Sequence, residues 1–361
     1  MSVLRDVDAQ TREVLERFDF DAARFEELRA LVAAGKLSPA TNLVHDVEPL
    51  RDDDLVSLPE PGSRACGDAL EAGRAALEGG TVAAAVLNGG MATRLGGVVK
   101  GLLEAVDGRT FLELKLDDAA RAGAAAAVMT SFATDAPTRA ALAGSAARVF
   151  PQSVSLRLNP DGTLFRDAAG RAVPYSPGHG DFPEALRRSG TLGELRERGV
   201  RTVVLSNVDN LGARLDPAVL GAHLLSGRPV TAEVTAKRPG DAGGAPARVA
   251  GRPIAVEGFR FPPEFDQDSI PVFGTNTFLF ELEALERDYP LTWLYVEKEV
   301  DGRRAVQLER LVNELTSFLP TTFLDVPRDG PRGRFFPVKT PADLEQVRPA
   351  LRELVRLSAQ S

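Results

Sequence analysis

Short apolar runs alternate with stretches of helical spacing along most of the chain. Thr81 to Leu87 is a run of small and β-branched residues, almost without charge. Comparable runs follow at Ala124 to Ser131, Ala147 to Gln152, Arg201 to Leu205, Pro229 to Lys237, Val272 to Phe280 and Thr321 to Val326. Continuous apolar runs this short fit strands covered on both faces. Between them the spacing predicts helices over Thr110 to Gly123, from about Pro137, from Phe182, over Gln307 to Phe318 and over Pro341 to Leu357, with Thr110 as an N-cap. Strands and helices in this alternation predict an α/β fold with a doubly wound, mixed but mainly parallel sheet. Asp161-Gly162 marks a hairpin between Ser153 and Pro174, and Gly243 to Phe261 reads as a second hairpin over the sheet. Upstream, Leu4, Val7, Val14, Leu15 and Phe18, then Phe25, Leu28, Leu31 and Val32, mark two outer helices, with Asp19 and Asp21 as break or cap. Val44 to Pro61 reads as an acidic connector, and Arg64 to Gly79 as a helix with Ala69, Leu70, Ala76 and Leu77 inward.

Composition narrows the function. The chain has 361 residues and a net charge of −8, so no basic field exists to follow a nucleic acid strand. Its one cysteine, Cys66, excludes an intrachain disulfide and a cysteine metal cluster. No apolar run has the length of a membrane span, and the first residues lack the layout of a secretion signal, so a cytoplasmic protein is expected.

Candidate chemistry starts where the first strand ends. Leu87-Asn88-Gly89-Gly90-Met91-Ala92-Thr93-Arg94-Leu95-Gly96-Gly97-Val98-Val99-Lys100-Gly101 is glycine-rich, basic and free of acids. Such a loop lets amides approach a polyphosphate, and Arg94 and Lys100 add fixed positive charge. The spacing matches neither the Walker nor the dinucleotide pattern. Ligands of an open α/β sheet bind beyond the carboxyl ends of its strands. Asp209, which follows such a strand, suits either a Mg²⁺ ligand or a loop-closing carboxylate. His179 stands between two glycines, and Lys339 lies in the bulky run Phe335-Phe336-Pro337-Val338-Lys339-Thr340. His45 and His223 have no such context.

The loop is similar to that of sugar-1-phosphate nucleotidyltransferases. Five blocks in order resemble the UDP-glucose pyrophosphorylase family of the eukaryotic type: the Asn88-Gly89-Gly90 loop, Phe150-Pro151-Gln152-Ser153, Pro177-Gly178-His179-Gly180-Asp181, Ser206-Asn207-Val208-Asp209-Asn210-Leu211-Gly212 and Phe336-Pro337-Val338-Lys339-Thr340. The resemblance implies a Rossmann-like nucleotidyltransferase domain over residues 81–345, to which the apolar pattern adds a helical segment over 1–80 packed on it and a terminal helix over 346–361. It implies that Asn88, Gly89 and Gly90 pack on the nucleotide, and that Gln152 and Gly178 read the base edge. Arg94, Lys100 and Lys339 would be the catalytic cations, and Asp209 the Mg²⁺ ligand. His179 and Lys339 would hold the sugar phosphate, and Glu257 and Asn276 would contact the sugar hydroxyls, with Asn207 lining the same pocket. The implied reaction joins UTP and glucose 1-phosphate into UDP-glucose and pyrophosphate.

Several positions depart from the family pattern. Val99 stands where proline is usual, Val98 where many members have lysine, and Gly274 where a polar amide is common. The family's carboxy-terminal β-helical domain has no counterpart in these residues, which suggests a monomer or weak dimer. The departures motivate a second expectation: the same chemistry on another sugar or cyclitol 1-phosphate, possibly with GTP. A third is a non-catalytic nucleotide-sugar-binding protein.

Overall fold

Eight strands form one sheet at the centre of the computed structural model, which describes residues 3–92, 97–239, 241, 243–338 and 340–358. In chain order these are β1 (Leu55–Ser57), β2 (Val82–Leu87), β3 (Ala125–Thr130), β4 (Arg148–Pro151), β5 (Thr202–Asn207), β6 (Val230–Ala236), β7 (Val272–Glu281) and β8 (Thr321–Asp325). Their order across the sheet is β1-β8-β6-β7-β5-β2-β3-β4. Every neighbouring pair is parallel except the two made by β7, which runs antiparallel to both β5 and β6. The sheet is therefore mixed and mainly parallel, as the apolar runs predict.

Helices cover it for readable reasons. Helix α1 (Ala9–Arg17) is capped by Asp8 and α2 (Ala22–Ala33) by Asp21, whose side chains accept from backbone amides in the first turn. Helix α3 (Arg64–Glu78) follows Ser63. Helix α4 (Phe111–Arg121) opens with a full capping box, Thr110 and Glu113 bonding each other's backbone. Then come α5 (Asp135–Ala141), α6 (Phe182–Arg188), α7 (Thr191–Glu197), α8 (Pro217–Ser226) and α9 (Pro341–Ser358). Helices α3 and α8 pack closely enough that a Cβ on Gly73 would sit 1.9 Å from Pro217 O, and one on Gly221 1.7 Å from Ala69 O. Helices α1 and α2 bury Leu15, Phe25 and Leu28 against Val154, Leu156, Leu158 and Val306 rather than against the sheet.

Two expected elements differ. Gln307 to Phe318 is not one helix: Arg303–Glu309 is a strand paired with Leu294–Val300, and Val312–Ser317 is a 3-10 helix. The spacing there is helical, yet the backbone is claimed by long-range bonds, Arg310 N–H to Pro177 O at 2.7 Å and Val312 N–H to His179 Nδ1 at 3.0 Å. The acidic connector also contains β1, an edge strand of three residues that is too short to show a pattern. The Gly243–Phe261 hairpin forms as expected, with Ala245–Val249 paired to Arg252–Val256. So does the turn at Asp161-Gly162, where Asn159 N–H bonds Thr163 O at 2.8 Å and Gly162 has φ +80°.

Candidate active site

Parallel strands β2, β3, β4 and β5 end side by side. Their hydrogen-bond ladder continues one residue past each end: Asn88 N–H to Met129 O, Gln152 N–H to Thr130 O and Val208 N–H to Leu87 O, at 2.8, 2.9 and 3.1 Å. Asn88, Gln152 and the Asn207–Asp209 segment are thereby set on one edge of the sheet, where ligands of such folds bind.

Asn88 is fully buried and its Nδ2 donates to Thr138 Oγ1 at 3.0 Å. Gly89 keeps room for the Gln152 amide: a Cβ there would lie 2.5 Å from Gln152 Nε2 and push that side chain aside. Gly101 is under the same constraint from Asn88 Oδ1, at 2.3 Å. Gln152 Oε1 and Asn88 Oδ1 are both buried without a protein partner, the second of them against Gly101. Lys100 follows the short hairpin of Met91–Ala92 with Val98–Val99, and its Nζ lies 2.5 Å from Asp209 Oδ2. Arg94 and Lys339 lie outside the described residues.

Beyond Asp209 a cavity of about 250 Å³ opens over β5, β6 and β7. Its lining includes five of the expected residues: His179, Asn207, Asp209, Glu257 and Asn276. Asn276 Nδ2 donates to Asn207 Oδ1 at 2.9 Å. Asn276 owes its place to a bulge. The β6–β7 register shifts between Ala232 and Val234, and Asn276 takes φ +56°, uncommon for a residue other than glycine. Glu257 sits at the start of a 3-10 turn, and burial, reinforced by the neighbouring charge of Glu309, raises its pKa.

His179 is placed by glycines. A Cβ on Gly178 would sit 2.6 Å from Arg310 O, and one on Gly180 2.4 Å from Arg310 C. The loop is fastened further by buried Asp181, which accepts from Ser153 N–H at 2.6 Å and pairs with Arg310. His179 Nδ1 accepts from Val312 N–H, and burial pushes the ring's pKa down to about 4. The ring is therefore neutral near pH 7, with its proton on Nε2. Gly178 is thus tied to the His179 loop; Asn88, Gly89, Gly90 and Gln152 lie on the strand-end side rather than in the cavity lining.

Several residues at the site escape a motif search. Glu233, inside the apolar β6, forms a buried ion pair with Arg334, whose Nε lies 2.9 Å from Glu233 Oε2. Asn210 Nδ2 donates to Arg334 O at 3.0 Å while its Oδ1 accepts from Phe336 N–H at 3.0 Å, tying the Asp209 segment to the run that leads to Lys339. Asn313, Phe273 and Phe335 complete the cavity wall. A signal was available for the ion pair: a carboxylate in the middle of an otherwise apolar strand needs a partner. Asn313 and the phenylalanines carry no such signal. No helix among the described residues is long and apolar enough to cross a membrane.

Residues 51–357 match the family model of UTP–glucose-1-phosphate uridylyltransferase. The enzymes of that name from Astragalus penduliflorus and Solanum tuberosum are each 31% identical over 284 residues, which is 72% of this chain and 60% and 59% of theirs. The chain thus spans about 60% of the length of these relatives. A Leishmania major UDP-glucose pyrophosphorylase point mutant, solved in complex with UDP-glucose, superposes with TM-score 0.71 at 25% identity, covering 90% of this chain and 74% of that one. The Trypanosoma brucei UDP-N-acetylglucosamine pyrophosphorylase, at TM-score 0.74 and 18% identity over 96% of this chain and 83% of its own, shares the fold. Because the family model matches residues 51–357, most of its length, the chain belongs to the UTP–glucose-1-phosphate uridylyltransferase family.

Proposed function

We propose that the protein transfers a uridylyl group from UTP to glucose 1-phosphate, giving UDP-glucose and pyrophosphate. The observation that carries this reading is one continuous arrangement. Asp209 is bonded to Lys100 of the glycine-rich loop and also lines the cavity that holds His179, Asn207, Glu257 and Asn276. A phosphate oxygen of the acceptor attacks the α-phosphorus of the nucleotide, and the bond from that phosphorus to the bridging oxygen of the β-phosphate breaks. The attacking oxygen is already ionised, so no general base is required. The protein's task is to bring two polyanions together and hold their charge. Lys100 supplies a cation on the nucleotide side. His179, neutral, offers an Nε2–H donor without repelling or trapping a second charge. Asn207 and Asn276 hold each other and present fixed amides to the acceptor's hydroxyls.

Mg²⁺ belongs to the proposal. Among the described residues no three His, Cys, Asp or Glu side chains cluster to hold a metal. Asp209 alone suits a Mg²⁺ that arrives with the triphosphate, since this ion takes one or two carboxylates and completes its shell with phosphate oxygens and water. When bound, it neutralises phosphate charge and fixes the triphosphate's geometry.

A second reading keeps the chemistry and changes the acceptor. A Cβ on Gly274 would meet only Gly244 O, at 3.4 Å, so the cavity keeps room there beside Phe273 and Phe335. Another sugar 1-phosphate with a larger or less polar substituent would use that space. Pyrophosphate release from a panel of nucleoside triphosphates against several sugar 1-phosphates, with Mg²⁺, tests both. Release restricted to UTP and glucose 1-phosphate supports the first reading, another active pair the second, and silence with nucleotide binding retained overturns both.

A further inference from the structure

Helix α4 carries a lysine where its sequence calls for a hydrocarbon. Phe111, Leu112, Lys115 and Ala119 share the inward face, and Lys115 is 6% exposed. Burying an ammonium among apolar residues is costly unless its donors are used. Lys115 Nζ donates to Ser206 Oγ at 2.9 Å and to Ala213 O at 2.7 Å. Neither partner is a carboxylate. Ser206 lies in β5 just before the strand end, and Ala213 lies seven residues on. Between them are Asn207, Asp209 and Asn210.

From this placement we infer that Lys115 is a positioning residue for the proposed transfer, pinning both ends of the Ser206–Ala213 segment so that Asp209 and Asn207 meet the triphosphate in register. The inference rests on the reading given under Proposed function. Bonds inside the segment, Asn210 N–H to Asn207 O and Ala213 N–H to Asn210 O, both 3.2 Å, shape the turn but do not anchor it to a neighbouring element. Asn210 anchors its middle to Arg334. Lys115 anchors its two ends to α4. The ammonium also acts at a distance. Asp118, Glu233 and Asp209 are the carboxylates whose charge favours it, and Arg334 opposes it. Burial lowers its pKa to about 8, so it still carries its charge at neutral pH. A residue selected for packing alone would be a leucine or methionine here.

Three measurements on Lys115→Met test this. The variant keeps the side chain's length and volume but removes the donors and the charge. In the pyrophosphate-release assay, kcat is expected to fall about ten- to a hundredfold, with both KM values within about twofold of wild type, the range set by losing one or two charged hydrogen bonds. The thermal midpoint is expected to move by only a few degrees, because loss of a buried charge is offset by two acceptors left without their donor. Amide hydrogen exchange over residues 206–213 is expected to quicken while α4 stays protected. Lys115→Ala with added n-propylamine gives a second line: saturable recovery of kcat with the amine, and none with n-propanol, is the signature of an N–H donor rather than of filled space. Lys115→Met activity within twofold of wild type overturns the inference. So does a parallel loss of kcat and thermal midpoint without amine recovery, which marks a purely structural residue. If wild type itself releases no pyrophosphate from any pair, the proposed function fails separately, and the exchange result alone decides whether Lys115 holds the segment.

Discussion

The backbone N–H of Val312 donates to Nδ1 of His179 across 3.0 Å. That bond fixes the imidazole as the Nε2–H tautomer and makes protonation a double loss, of the bond and of desolvation. The pKa near 4 follows from burial. Above about pH 6.5 folded and unfolded chains both hold a neutral ring, and the linkage contribution is complete. As pH falls from about 6.5 towards about 4, the unfolded chain takes up a proton that the folded chain refuses, so stability declines across that window. Denaturant midpoints measured between pH 4 and 7 should show this slope in wild type and a shallower one in His179→Gln. Under the proposed function the same tautomer makes the histidine a neutral donor to the acceptor. His179→Leu should lower kcat/KM about ten- to a hundredfold, the usual cost of an unmet buried hydrogen bond. His179→Gln should leave the pH profile of kcat/KM between 5.5 and 8 superposable on wild type. A wild-type inflection near 6.5 that disappears in His179→Gln would contradict a neutral role.

Lys100 and Asp209 touch, and each has a separate duty under the proposed function. Lys100→Ala removes a cation aimed at developing negative charge, and kcat should drop about a hundred- to a thousandfold, as for other preorganised electrostatic groups. Asp209→Asn should instead raise the Mg²⁺ concentration needed for half-maximal rate, with nucleotide binding in the absence of metal little changed. The two curves separate the residues: an unchanged metal requirement in Asp209→Asn sinks its assignment as the metal-side group.

Much of this was legible from residue order because parallel strands buried on two faces leave an unmistakable apolar run, and because caps such as Thr110 and Asp21 are local chemistry. Three of the cavity residues, His179, Asn207 and Asp209, were legible through the motif blocks and Glu257 and Asn276 only through the wider family resemblance, and all five share one cavity. What stayed hidden depends on distant partners. The Val312–Ser317 stretch has helical spacing, but its backbone donors go to Pro177 and His179 instead. Lys115 falls on the apolar face of α4, but what takes up its donors stays hidden until Ser206 and Ala213 are brought to it, 91 and 98 residues away. Arg334 and Glu233 stand 101 residues apart, and only the fold makes them a pair.

That pair is fully buried, with side-chain exposures of 1% and 0%. Removing one partner leaves a charge in the core without its counter-ion, so Arg334→Leu should cost about 3–5 kcal/mol in a denaturant titration. Replacing both residues, as Arg334→Met with Glu233→Leu, should recover most of that loss, since a buried pair and a well-packed apolar pair are often close in stability. Activity should stay low in the double variant, because Glu233 lines the cavity and its carboxylate is gone. Additive losses in the two single variants, without recovery in the double one, would show that the pair itself is not what stabilises this layer.

Gly274 tests where the acceptor's substituent lies. It follows Phe273 in β7, next to the bulge that displays Asn276, and its N–H bonds Gly244 O at 2.8 Å. Its φ is not in the left-handed region, and an added Cβ would make ordinary contact, so Gly274→Ala should fold with a denaturant midpoint close to that of wild type. Gly274→Asn places a planar amide in the same space. If the acceptor's ring or substituent fills that space, its KM should rise about tenfold for Asn and less for Ala, while the nucleotide KM stays put, since the strand-end loop at Asn88–Gly90 is a separate part of the site. A small 1-phosphate should lose least and a bulky one most, because the steric term scales with what meets the new side chain. Equal KM values for all acceptors in wild type and Gly274→Asn would place the acceptor elsewhere in the cavity and remove the reason for expecting an acceptor other than glucose 1-phosphate.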